Sequence, residues 1–145
     1  MALFWDNPEY GDFKKLALRR IREAITLFNN KEYSGAYYLA GYAVELALKA
    51  CYCKNVKEKS FPPKKSVYQK LYSHDLNDLL SVSGIKWAFD KRAGKDKGFE
   101  SNWSTVKDWT EESRYGICKK TDAEALINSI KDRRKGILVW IKKLW

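Results

Sequence analysis

The segment from Ala36 to Leu48 reads AYYLAGYAVELAL, and nearly every side chain in it is apolar. On a helix such a run leaves no polar face, so neighbouring elements must cover it on most sides. Five small residues would let another helix approach closely; they are Ala36, Ala40, Gly41, Ala43 and Ala47. Glu45 interrupts the run, which is too short to span a membrane. We therefore predict a central helix enclosed by other elements.

Helical periodicity recurs on both sides of this segment. The first predicted helix runs from Asn7-Pro8 to Asn29-Asn30, and the second is capped by Ser34 and ends near Cys53. A short helix begins at His74-Asp75, and another is capped by Asn102 or Ser104. The last predicted helix has a capping box at Thr121 to Glu124 and an apolar face from Leu126 to Leu144. Asn55 to Tyr72 and Asp90 to Gly98 are predicted loops, and we expect the second to be mobile. No strand-like alternation persists. The prediction is a single all-α domain, residues 1–145, folded as an up-and-down bundle of four to five helices.

The chain carries 28 Lys and Arg against 18 Asp and Glu, a formal net charge of +10. Such a surface attracts phosphate polymers and acidic partners. The basic residues form three clusters: Lys54, Lys57, Lys59, Lys64 and Lys65; Lys91, Arg92, Lys95 and Lys97; and Lys131, Arg133, Arg134 and Lys135. Each could be only solvated surface, whereas convergence in space would create an RNA-binding or partner-binding face.

The three cysteines are Cys51, Cys53 and Cys118. No N-terminal signal peptide is visible, so we expect reduced thiols in a cytoplasmic protein. One histidine and dispersed cysteines are too few ligands for a zinc site, and we expect no metal or cofactor. Gly-rich phosphate loops, dinucleotide-binding loops, HExxH and EF-hand patterns are missing from the sequence.

The order of several short motifs resembles the HEPN domain family. These are an amphipathic first helix, the segment NNKEYSGAYYLAGYAVELALKA, a later His-Asp-Leu, the Arg-Tyr pair at residues 114–115, and a final TDAEAL helix ending in WIKK. The resemblance implies a helical bundle that often forms a homodimer. It also implies a setting in toxin–antitoxin, antiviral phage-defence or RNA-processing systems, often beside a nucleotidyltransferase.

Many HEPN proteins are metal-independent RNases, whose signature is an Arg followed four to six residues later by a His. Here no His follows Arg114, Arg133 or Arg134. The preferred interpretation is therefore a non-catalytic, dimeric binding subunit for a nucleotidyltransferase, another effector protein, RNA or a nucleotide, with no membrane association. The alternative is a divergent RNase in which Arg114 holds a phosphate and His74 or Tyr115 moves a proton.

Each candidate site residue also has a structural interpretation. His74 could cap or orient its helix, while Arg114 could pair with Glu45 and fix the register of the bundle. Glu45 and Lys49, four residues apart, suit a helical ion pair or a ligand pocket. Lys64, Lys65, Arg133 and Arg134 are the candidate ligand-binding or partner-binding cations. Tyr37, Tyr38 and Tyr42 are predicted core or dimer contacts, with base stacking as the alternative.

Overall fold

The computed structural model describes residues 8–56 and 61–145, and every regular element within them is helical. The α-helices are α1 Tyr10–Asn29, α2 Tyr33–Asn55, α3 Lys65–Leu71, α4 Leu76–Val82, α5 Lys86–Ala93, α6 Lys97–Lys107, α7 Lys120–Lys131 and α8 Ile137–Ile141. A 3-10 segment spans Glu111–Tyr115, between α6 and α7. The all-α prediction is confirmed, although the described residues contain eight α-helices and not four to five.

Helix α2 is the centre of the molecule, as its all-round apolar sequence predicts. Eleven of its 23 residues are buried. Helix α1 packs along it as a hairpin, and α4, α7, α8 and the 3-10 segment cover its other sides. The α1–α2 turn places Lys31 at a φ of 64°, in the left-handed region. No helix in the described part of the chain is both long and apolar enough to cross a bilayer.

Gly41 lets Trp109, in the segment that follows α6, reach the surface of α2. The buried indole of Trp109 lies directly against Gly41, so a Cβ atom there would overlap the ring. The same indole stacks on Tyr38, with ring centroids 6.1 Å apart. This contact holds the beginning of the 3-10 segment against α2.

An aromatic cluster joins α5, α6 and α8. Phe89, Phe99, Trp103 and Trp140 meet with centroid separations from 5.2 to 6.0 Å. Edge-to-face geometry of this kind adds to the stabilisation that area burial provides. The C-terminal helix is thereby fixed against the turn between α5 and α6.

Three segments depart from the predicted element pattern. The predicted loop from Asn55 to Tyr72 contains α3, and the predicted mobile loop from Asp90 to Gly98 is mostly helix. There the carboxylate of Asp96 accepts the Phe99 N–H at 3.1 Å and caps α6, so the expected caps Asn102 and Ser104 lie inside that helix. The predicted last helix is broken into α7 and α8, because Asp132 accepts the N–H groups of Arg134 and Lys135 in a turn.

Two predicted helix starts are shifted by a few residues. Helix α2 begins before Ser34, whose hydroxyl instead accepts the Cys118 N–H at 2.9 Å. At α7, Asp122 accepts the Lys119 N–H, and Thr121 lies inside the first turn. Asn7, the predicted first cap, lies outside the described residues.

Candidate functional site

A buried carboxylate, that of Glu45, lies at the centre of α2. Its side chain is 1% exposed. Burying a charge costs free energy unless it is paired and hydrogen-bonded. Lys49, one helical turn later, donates to Oε2 at 3.2 Å, and His74 Nδ1 lies 2.8 Å from Oε1. Both carboxylate oxygens are therefore engaged.

His74 is positioned by the chain that enters α4. The N-cap of this helix is Asp75, whose carboxylate accepts the Asp78 N–H at 2.9 Å, so the proposed capping role of His74 is wrong. The imidazole instead links two elements, because its second nitrogen, Nε2, lies 3.0 Å from Oε2 of Glu111. His74 thus joins α2 to the 3-10 segment.

The bridging position restricts what the imidazole can do chemically. A neutral imidazole has one N–H donor, so facing two carboxylates requires either a protonated ring or a protonated carboxyl group. In both cases each ring nitrogen already has a hydrogen-bond partner. While Glu111 occupies Nε2, neither ring nitrogen of His74 is open to a substrate.

Arg114 does not pair with Glu45, so the predicted ion pair between them is wrong. Its guanidinium lies over the Tyr115 ring, 4.8 Å from the centroid. Interaction with Tyr115 is the largest cause that raises the pKa of Arg114, and Glu111 and Tyr38 contribute less. Glu111, the carboxylate that pairs with His74, therefore acts on Arg114 only through its charge, while Tyr115 is 79% exposed.

The predicted ligand-binding residues lie in three separate places. Glu45 and Lys49 belong to the interior of the bundle, and Lys64 and Lys65 are exposed at the start of α3. Arg133 and Arg134 are exposed in the turn between α7 and α8. There the second and third basic clusters meet, because Arg92 Nη2 donates to the Arg134 carbonyl at 2.9 Å. Lys57 and Lys59 of the first cluster lie outside the described residues.

Three tyrosines in the first half of α2, namely Tyr37, Tyr38 and Tyr42, are only partly buried. Tyr38 and Tyr42 stack with centroids 6.1 Å apart, and burial raises the pKa of Tyr37 and Tyr42. These residues pack against the hydrophobic core, as one of the two predictions for them has it.

Glu111 is the site residue that the sequence did not reveal. It lies in a polar stretch, EESRYG, that shows no helical or strand periodicity. Its role depends on Trp109 packing on Gly41, which brings the 3-10 segment to α2. A pairing across elements of this kind leaves no local pattern.

Within the described ranges, no group of three or more His, Cys, Asp and Glu residues could hold a metal ion. The three cysteines are free thiols. Burial raises the pKa of Cys51 to about 11, so this thiol stays protonated at neutral pH. The groups that face the two nitrogens of the His74 ring are the carboxylates of Glu45 and Glu111.

No curated protein and no solved structure matched the chain. A family model did match, that of the HEPN domain, over residues 10–142. This range contains every helix described above and all the residues around His74. The helical architecture and the family match agree, and the chain belongs to the HEPN domain family.

Proposed function

We propose that this chain is a non-catalytic HEPN subunit, which acts by binding a second copy of itself and an effector protein. The observation that carries the proposal is the position of His74 between Glu45 and Glu111. The only histidine of the chain links two structural elements, and both of its ring nitrogens face carboxylates and not a substrate pocket. The chain also lacks the Arg-to-His spacing of the family's nuclease signature.

The 3-10 segment and the residues after it supply a surface for self-association. Tyr115 and Ile117 are 79% and 98% exposed, next to the cationic Arg114. Exposed aromatic and aliphatic side chains beside an arginine are typical of residues that dominate interface energetics. We assign this surface to a homodimer contact. Family membership supports, as the proposed effector, a nucleotidyltransferase in a toxin–antitoxin or phage-defence system.

A cleavage assay tests the non-catalytic assignment. Purified protein is incubated with structured and unstructured RNA in the presence of EDTA, beside His74→Ala and Arg114→Ala variants. We expect no cleavage above that of either variant. Metal-independent cleavage by the wild-type chain that both substitutions abolish would establish the alternative, a divergent RNase.

One observation favours that alternative enough to keep it in the test. Glu111 pairs with His74, its charge also raises the pKa of Arg114, and the His74 side chain is 41% exposed. If Glu111 moved away, Nε2 would become available to a substrate held by Arg114. A Glu111→Gln variant that gains RNase activity would therefore show that the site is closed but competent.

Self-association is tested by light scattering after size-exclusion chromatography. Ile117→Asp should convert a dimer into a monomer, since it places a charge in the centre of the contact. Trp87→Asp is the matched control, because Trp87 is 69% exposed on α5, which packs on α4 and α6. A wild-type monomer, or an equal effect of both substitutions, would refute the assigned contact. Co-purification with the product of a neighbouring nucleotidyltransferase gene tests the effector.

A further inference from the structure

We infer that the end of the bundle formed by the α5–α6 and α7–α8 turns is a docking surface for single-stranded nucleic acid, with Trp87 as the residue on which a base stacks. We call residues 91–98 and 131–135 the basic end. This surface does not include the 3-10 segment or His74. It goes beyond the proposed dimer and effector contacts.

The basic end concentrates positive charge from two distant parts of the sequence. It contains eight cationic and two acidic residues. The cations are Lys91, Arg92, Lys95, Lys97, Lys131, Arg133, Arg134 and Lys135; the acids are Asp96 and Asp132. The nearest further acid on α6 is the exposed Glu100. Such a surface suits a polymer of phosphates, from which cations displace condensed counterions.

Both acidic side chains of the basic end are used inside the fold. Asp96 accepts the Phe99 N–H and pairs with Arg92 at 3.2 Å and Lys135 at 3.0 Å. Those contacts, the backbone hydrogen bond first, lower the pKa of Asp96 to about 2. Asp132 accepts two backbone N–H groups. Among the described residues, no salt bridge engages the exposed cations Lys91, Lys95, Lys97, Arg133 and Arg134.

The two turns are fixed to each other before any ligand binds. Arg92 donates to the carbonyl of Arg134 at 2.9 Å. Asn102 donates to the carbonyl of Lys135 at 2.9 Å, and the Lys135 ammonium reaches Asp96. A surface that is already ordered loses less entropy when it binds. The cations are therefore held on an ordered framework, and binding costs less entropy than it would for lysines on a flexible loop.

The exposed indole of Trp87 gives the basic end a preference for single-stranded nucleic acid. Its side chain is 69% exposed on α5, one helical turn before Lys91 and on the same face. An exposed indole beside cations is the arrangement with which single-stranded nucleic acids are held, because unpaired bases can stack on it. Bases inside a duplex are already stacked on each other and do not offer their faces.

Fluorescence anisotropy with labelled oligonucleotides tests the inference. The probes are oligouridine of about 16 nucleotides, a single-stranded DNA of the same length, and an RNA duplex. We expect both single strands to bind more tightly than the duplex, and a difference between RNA and DNA would report contacts to the 2′-hydroxyl. Trp87→Ala should weaken binding about tenfold, and Trp87→Phe should restore most of it.

Two triple variants with the same charge change separate a defined surface from general attraction. Lys91→Ala/Arg133→Ala/Arg134→Ala should reduce the slope of log affinity against log salt by about 2, since each lost phosphate contact on a single strand contributes about 0.7. The control is Lys15→Ala/Arg19→Ala/Arg22→Ala on the exposed face of α1, which packs on α2 and α7. Its salt slope should stay unchanged.

Four outcomes would overturn the inference. These are equal losses in the two triple variants, an unchanged affinity in Trp87→Ala, tighter binding of the duplex, and no binding of any probe at low salt. Circular dichroism spectra confirm that each variant is folded. RNA cleavage would contradict the proposed function, and the single-stranded DNA probe, which an RNase does not cleave, would still measure binding to the basic end.

Discussion

The contact between Glu45 and His74 can be measured by a double-mutant cycle. The variants are Glu45→Gln, His74→Ala and the pair together. Glu45 is almost fully buried, and each of its oxygens has one partner. Removing the imidazole leaves Oε1 without its hydrogen-bond partner, while Lys49 still engages Oε2. The cycle isolates this single pair because the Lys49 contact is common to the wild type and His74→Ala.

The expected coupling follows from burial on the two sides of the bridge. A hydrogen bond to a charged group contributes about 1.5–3 kcal/mol. His74 is 41% exposed, so water can replace part of its contact, and we expect a coupling of about 1–2 kcal/mol. The same cycle for Glu111 and His74, which are 38% and 41% exposed, should give about 0.5 kcal/mol or less.

Urea denaturation at one fixed protein concentration is the assay, with thermal melting as the second probe. For a domain of this size, His74→Ala should lower the melting temperature by roughly 3–6 °C. Equal coupling energies for the two carboxylates would refute the assignment of Glu45 as the buried partner. A coupling near zero for Glu45 and His74 would refute the bridge itself.

Two further predictions concern stability. Gly41→Ala should destabilise the fold by about 2 kcal/mol or more, because its Cβ would overlap the buried ring of Trp109. Gly11→Ala, with no atom near its Cβ, should be neutral or stabilising. Urea denaturation of both variants checks this prediction, and equal effects on the free energy of unfolding would contradict it. The lowered pKa of Asp96 means that its contribution to stability is present above pH 4 and is lost as the pH falls from about 4 towards 2. Asp96→Asn keeps a capping side chain and should remove that part of the acid sensitivity. If the stability of the wild type and of the variant fell equally as the pH is lowered from about 4 towards 2, the prediction would be contradicted.

The sequence predicts the fold where local patterns are strong. The all-round apolar run of α2 demanded a buried central helix, and the structure confirms it. The periodicity of α1 located that helix to within a few residues. The interruption between α7 and α8 was harder to predict. Asp132 ends α7 through hydrogen bonds to the N–H groups of the next residues in a turn, whereas the apolar spacing of the sequence continues across that turn.

The site was less predictable because its contacts join distant elements. Glu45 and Lys49 lie one turn apart, and their pairing was expected. The second partner of the buried carboxylate was expected to be Arg114 and is His74. Which of the two reaches Glu45 depends on how α4 and the 3-10 segment dock on α2. That arrangement is set by tertiary packing and not by spacing along the chain.

The close contact between Gly41 and Trp109 has a consequence for the evolution of the family. A side chain at position 41 and an indole at position 109 cannot occupy the same space, so each residue limits what the other can become. Relatives that carry alanine or serine at the first position should carry a smaller residue at the second. Such paired substitutions would identify which HEPN proteins hold the segment after α6 against the central helix, and which have released it.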